Sequence, residues 1–415
     1  MTIAALFMII AAAGCSGGLR LLIAASFFNT RARCRPPKLE IMARMIRVSC
    51  LLAALLPSAS VAVAENDNPE IQRYSHILVI IAENHSFEQI IGNPMAPLLN
   101  HLATTYGSAI NFFAVARPSE PNYVAMIGGD TFGIRDNDAW YCKRGTAHRY
   151  CSSATTIEPY VDHTVVARSL IDQLAEHNLT WKGYFESIPA AGSMAIYYPN
   201  AENPVAGQPS ELYASKHNGF INFRTVQNDP ALASKVVGFD QLLQDIATGQ
   251  LPNYAHIVPN QCNDMHGLSG VDVPNDCTFH NHDGLIARGD RVIGELVAKI
   301  QSSPVWSAQG NIAIVVTWDE DNNPKWPLLD RIRNWFAEGR SPPKPRIRFD
   351  PTSVANFSGG HIPTLVITNH GPRGATDDTP YNHYSLLRSI EEAFGIHEHL
   401  GHANDTSSKV MTRLF

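Results

Sequence analysis

The sequence predicts an α/β protein with a mostly parallel central sheet and helices on both faces. Three observations predict it. Apolar, β-branched runs such as Tyr74–Ala82 and Asn311–Thr317 read as strands buried on both faces. Helical spacings alternate with these runs through most of residues 74–394. Polar, titratable residues follow several of the runs directly, where open parallel sheets gather their ligands.

The chain of 415 residues begins with a stretch that does not belong to this pattern. Residues 3–28 are apolar apart from Arg20, and residues 1–41 read as an extension ahead of the true start. Residues 42–64 hold a basic start (Arg44, Arg47), an apolar centre (Val48–Leu56) and Ala62-Val63-Ala64, the order of a cleaved secretory signal. A membrane anchor over residues 3–28 is the competing reading. The signal predicts a secreted or periplasmic protein with no stable membrane insertion after cleavage. Of seven cysteines, three lie in this leader and four remain, an even number that suggests two disulfides. Cys142–Cys151 with Cys262–Cys277 is the simplest of three connectivities. Removing residues 1–64 takes seven of 32 basic and one of 38 acidic side chains, leaving 25 and 37, a net −12. Such a surface attracts neither nucleic acid nor anionic membranes by bulk charge.

A single catalytic domain is expected over residues 65–400. Tyr74–Ala82 is its first strand, and Glu83-Asn84-His85-Ser86 stands at the exit. Met95–Tyr106 reads as a helix. The run Ala109–Val115 reads as a strand leading into Arg117-Pro118-Ser119-Glu120-Pro121-Asn122, and Asn122–Ile127 as a helix closed by Gly128-Gly129. Pro121 suits a first helical position, so Ser119 falls among free N–H groups at the positive end of a helix, a place for a phosphate or an oxygen anion. An ordinary N-cap serine is the plain alternative. Residues 130–163 lack periodicity and carry the first cysteine pair, a stapled surface excursion. Thr164–His177 is helical by spacing, Thr180–Glu186 a strand, and residues 188–222 a long loop holding Lys216-His217-Asn218. Phe239–Ile246 is a short helix. The strand Asn253–Val258 exits into a polar segment ending at His266. Leu285–Ile300 is a helix, and Asn311–Thr317 a strand followed by Asp319-Glu320-Asp321, a set of acids suited to a hard cation. Residues 322–360 read as an insertion or lid, Ile362–Thr368 as the last strand, His383–Phe394 as the last helix and residues 401–415 as a polar tail.

Convergence of Glu83-Asn84, Ser119, His266 and Asp319-Glu320 on one sheet edge fits phosphoryl or sulfuryl transfer. A cation beside Ser119 would lower its pKa and neutralise phosphoryl oxygens, and a histidine would protonate the leaving alcohol. A Ser-His-Asp acyl hydrolase would need a Gly-x-Ser-x-Gly elbow; here the turn is Pro-Ser-Glu-Pro. The donor types favour Mg²⁺, Ca²⁺ or Mn²⁺ over thiolate-seeking ions.

Glu83-Asn84-His85-Ser86-Phe87, Pro118-Ser119-Glu120-Pro121-Asn122-Tyr123, residues 259–266 (PNQCNDMH), Thr317-Trp318-Asp319-Glu320-Asp321 and Asn382–Leu387 together resemble the phosphoesterase family that includes bacterial phospholipases C and secreted acid phosphatases. The resemblance implies an alkaline-phosphatase-like fold and a metal held by Glu83, Asn84, Asp319 and Glu320. It implies Ser119 as nucleophile, His266 near the leaving group and His282 as a second catalytic histidine. Asn122, Lys216 and His217 are the candidate substrate-binding residues. Phospholipase C members tend to carry threonine at the nucleophile and an Asp-His-Val segment after their Asp-Glu; Ser119 and Asp321-Asn322-Asn323 differ from both. The resemblance therefore implies the acid-phosphatase branch, acting on phosphate monoesters such as phosphoinositides. A phospholipase C-type diesterase acting on a phospholipid is the alternative.

Overall fold

Strand β1 (His76–Ala82) lies at the middle of the sheet because its apolar residues leave no face for water; Ile77 to Ala82 are all buried. The structure, a computed structural model, describes residues 71–270, 272–322 and 358–415. The expected leader and nearly all of the insertion over 322–360 lie outside the described residues. No helix among the described residues is long and apolar enough to cross a membrane.

Seven further strands join β1 in the main sheet: β2 (Gly107–Ala109), β3 (Trp181–Phe185), β4 (Val236–Val237), β5 (Tyr254–Val258), β6 (Ile312–Trp318), β7 (Thr364–Thr368) and β8 (Ala375–Asp377). Their spatial order is β8-β2-β7-β6-β1-β5-β3-β4. All pairings are parallel except those of β7, which runs antiparallel to β6 and β2. The expected mostly parallel sheet is present, and the strand expected over Ile362–Thr368 is the reversed one. Every residue of β6 is buried, so helices cover both faces.

The covering helices are α1 (Pro97–Thr105), α2 (Ser119–Gly128), α3 (Leu170–Glu176), α4 (Phe239–Thr248), α5 (His282–Gln301) and α6 (His383–Phe394). α1 packs on α5, and α2 on α6. Asp290 of α5 holds the start of α1: its carboxylate accepts the N–H groups of Leu98 and Leu99 at 3.1 and 2.8 Å. α3 is shorter than its spacing predicts, because Val165 is drawn into a bridge, donating to Asn222 O at 2.7 Å and accepting from Arg224 N–H at 3.0 Å. Ser169, with Asp172 three residues on, then starts the helix. The disulfides Cys142–Cys151 and Cys262–Cys277 both form. The final residues are not a polar tail: Met411, Leu414 and Phe415 are buried in the main core, which therefore extends past residue 400.

Candidate active site

The run Ala109–Val115 does not form one strand. β2 ends at Ala109, and Phe112–Ala114 joins a separate three-stranded sheet with Gly360–His361 and Tyr381–Asn382. The chain then turns into α2. Pro118 takes the cap position, Ser119 is the first helical residue, and Pro121 is the third, where a missing N–H still costs nothing. Asn122 fastens this turn: its Oδ1 accepts from Ala116 N–H at 2.9 Å, and its Nδ2 donates to Ala116 O and Pro118 O at 2.9 and 3.3 Å. Its amide is thus spent on backbone inside the core and does not serve as a substrate-binding group, contrary to expectation. The expected cradle of free N–H groups is also smaller, since Glu120 N–H donates to Asn137 Oδ1 at 3.0 Å and Pro121 has no N–H.

Register brings the acids together. β1 and β6 pair in parallel with Ala82 opposite Trp318, so Glu83 and Asp319 leave adjacent strands side by side. Asp319 N–H donates to Ala82 O at 3.1 Å, which extends the ladder to the site. Asn84 sits in the left-handed region at φ 53°, which a short polar side chain tolerates. Its N–H faces Asp319 Oδ1 and its Nδ2 faces Glu83 Oε1, both at 3.3 Å. Ser119 Oγ donates to Glu83 Oε1 at 2.5 Å and lies 3.2 Å from Glu320 Oε1. Glu83, Asp319 and Glu320 are all buried. Burial and the Glu83 charge push the Asp319 carboxyl well up, and push Glu320 up to about 7. Asp319 Oδ2 is buried with no hydrogen-bond partner among the described residues. Clustered buried acids with an orphaned oxygen are the environment a hard cation relieves. Arg117 offsets part of the charge, pairing with Glu320 at 3.5 Å and with Asp321.

Glu83 also faces a basic group on its other side. His217 Nε2 pairs with Glu83 Oε2, while Lys216 Nζ and His266 Nε2 stand 3.8 and 3.9 Å from Oε1. Burial alone would raise the Glu83 carboxyl, but the charges of His217, His266 and Lys216 hold it below the usual carboxylate range. Lys216 Nζ lies 3.0 Å from His266 Nε2. Burial, with Lys216 close by, pushes His266 down to about 4 despite the opposing pull of Glu83. Glu83 thus belongs to two donor sets, one with Asp319 and Glu320 and one with His217 and His266. A cleft of about 500 Å³ opens beside them, lined by Asn84, Lys216 and His266 on its polar side and Met265, Leu268 and Phe279 on its apolar side. His282 is exposed on the cleft wall at the start of α5, its ring 6.3 Å from that of His85. No hydrogen bond or ion pair ties it to Ser119 or the acids among the described residues, so the structure sets it apart from the cluster.

Three contributors had no assigned role at the sequence level. Asp264 stands 3.5 Å from His217 Nδ1, and Tyr123 stacks on the His217 ring at 5.3 Å. Arg117 is the third. Asp264 and Tyr123 lie inside quoted motifs and Arg117 directly before one, but only the tertiary contacts give each a task.

A family model described as Phosphoesterase family matches residues 93–397. A phosphatidylinositol-3-phosphatase of Mycobacterium tuberculosis is 27% identical, with 78% of each chain covered. A probable acid phosphatase of Kluyveromyces lactis is 24% identical, covering 79% of this chain and 60% of its own. Non-specific phospholipase C1 of Arabidopsis thaliana is 23% identical over 73% of this chain and 47% of its own, so the chain spans about half of the plant relative's length. Among solved structures, a protein of the alkaline phosphatase superfamily from Vibrio parahaemolyticus is 13% identical at a TM-score of 0.43, covering 79% of this chain and 69% of its own.

Proposed function

This chain belongs to the phosphoesterase family, and on that premise we propose that it is an exported, metal-assisted phosphatase that hydrolyses phosphate monoesters through a phosphoserine at Ser119. The observation that carries the reading is the contact of Ser119 Oγ with Glu83 at 2.5 Å and Glu320 at 3.2 Å, beside a cleft bearing Lys216 and His266. Carboxylate and amide oxygens of Glu83, Asn84, Asp319 and Glu320 suit a hard divalent ion, and the unpartnered Asp319 Oδ2 supports the fit. When bound, such an ion supplies charge for phosphoryl oxygens and lowers the proton affinity of the serine hydroxyl.

The protein's own residues divide the remaining work. Ser119 Oγ yields its proton toward the carboxylates it faces and bonds to phosphorus as the bond from phosphorus to the ester oxygen breaks. Lys216 attracts the anionic substrate to this end of the cleft. His266 gives its proton to the departing alkoxide; water then bonds to phosphorus as the bond to Ser119 Oγ breaks, one water proton going to His266 while the facing carboxylate returns the serine's own. The relative named as a probable acid phosphatase supports an acidic optimum. Two disulfides support export to an oxidising compartment. The mycobacterial relative makes phosphoinositides the first natural substrates to try. Turnover of p-nitrophenyl phosphate compared with phosphatidylcholine tests the proposal. Release of p-nitrophenol, inhibited by chelation and restored by Mg²⁺, Ca²⁺ or Mn²⁺, is expected. Hydrolysis of the lipid diester alone would overturn the monoesterase in favour of a phospholipase C.

A further inference from the structure

Glu120, next to Ser119, is a buried charge outside the cleft. Its Oε1 accepts from Asn222 Nδ2 at 2.6 Å and meets His163 Nδ1 at 2.8 Å. The other ring nitrogen, His163 Nε2, stands 3.0 Å from Asp136 Oδ1. Asn222 Nδ2 also donates to His163 O at 3.0 Å, and Tyr160 stacks on the His163 ring at 5.7 Å. The backbone of Glu120 is held as well, since its N–H donates to Asn137 Oδ1. Glu120 and His163 are 2% and 0% exposed, and neither lines the cleft. Burial would lower His163, yet Asp136 and Glu120 facing its two ring nitrogens push it up to about 10, which favours a charged ring between the two carboxyls even though burial raises Glu120.

Asp136, Asn137, Tyr160 and His163 all come from the excursion stapled by Cys142–Cys151. A buried ionic triad is an expensive tether, because desolvation opposes it; its use is to specify geometry rather than to add stability. The residue it specifies adjoins Ser119, whose Oγ must stand within hydrogen-bond reach of two acids.

We propose that Glu120, His163 and Asp136 are positioning residues, and that the excursion over residues 130–163 exists to hold the start of α2 so that Ser119 Oγ meets Glu83 and Glu320. The proposal rests on Ser119 being the nucleophile. The test compares wild type with His163→Ala, Glu120→Gln and Asp136→Asn. Asp245→Asn serves as the control, since it breaks a buried network with Lys182 and Tyr184 on the sheet's other side of β5. With p-nitrophenyl phosphate, kcat of the triad variants falls about 10- to 100-fold while KM stays within about threefold, the scale of a small misplacement of reacting atoms. Amide hydrogen exchange over residues 116–123 speeds up in the triad variants and not in Asp245→Asn. Wild-type kcat in folded His163→Ala, or a loss no larger than that of Asp245→Asn at equal loss of Tm, overturns the proposal. Absence of turnover in the wild type would instead remove the phosphatase reading. In that case unchanged exchange at residues 116–123 still overturns the positioning device. Should His163→Ala fail to fold, Asp136→Asn, altered at the triad's more accessible end, carries both readouts.

Discussion

A serine hydroxyl attacks phosphorus poorly until its proton has somewhere to go, and Ser119 Oγ faces the carboxyls of Glu83 and Glu320, which the proposed mechanism uses for that purpose. The cap position of α2 belongs to Pro118, and the Ser119 hydroxyl is directed to Glu83 and Glu320 instead. Ser119→Ala should therefore lower kcat on p-nitrophenyl phosphate by about a thousandfold or more while shifting Tm by only a few degrees. Intact turnover in Ser119→Ala would remove the nucleophile assignment. Glu320 offers a second test. Its value in the fold, about 7, lies above the ordinary 4.5, because burial and Glu83 disfavour its charge. A raised carboxyl lends its full stability below about 4.5 and loses it as pH rises through about 7. Metal-stripped protein should thus become less stable between those values, by at most about 3 kcal/mol from this group. Added divalent ion should reverse the loss, because it pairs the ionised form. Denaturant unfolding at pH 5 and pH 8, with and without chelator, measures both effects.

At the scale of elements, the site depends on how closely α2 approaches the turn that carries Lys216 and His217. Gly219 sits at that approach: a Cβ there would lie 2.6 Å from Tyr123 O and 2.7 Å from Tyr123 C, both backbone atoms of α2. Neither can move without shifting the helix, and with it Ser119 and the stacking of Tyr123 on His217. Gly219→Ala should cost about 1–3 kcal/mol of stability and about tenfold or more in kcat. Thermal unfolding and steady-state kinetics on the same sample check this, and a variant of wild-type stability and rate would show that the contact relaxes freely. The same argument explains why α3 begins late: the backbone of Val165 is better satisfied by Asn222 and Arg224 than by a helical turn.

Across the whole molecule, one core joins both ends of the described chain. Tyr74, just before β1, packs edge-on against Phe415 at 5.5 Å between ring centroids. Met411 and Leu414 are fully buried in the same cluster. Deleting residues 411–415 removes three large apolar side chains, each worth about 2–5 kcal/mol when truncated in a core. That loss is comparable to the total stability of a typical domain. The truncated chain is expected to be insoluble or to melt at least 10 °C lower, as read by solubility and calorimetry.

Periodicity and punctuation in the sequence determined the layered α/β architecture, the central strands β1, β5 and β6, and the long helices, because a strand buried on both faces or an amphipathic helix writes its pattern into consecutive residues. They also placed Glu83, Asn84, His266, Asp319 and Glu320 at strand exits, since parallel strands share one carboxyl edge. Tertiary structure alone decided the rest. It reversed β7, split the run before Ser119 between two sheets, turned Asn122 into a clasp for the Ser119 turn, left His282 on the cleft wall and buried Met411, Leu414 and Phe415. It also brought His163 and Asp136 to Glu120, the neighbour of Ser119. These outcomes depend on contacts between segments distant along the chain, where a buried polar group takes whichever partner the packing presents, and no local pattern records that choice.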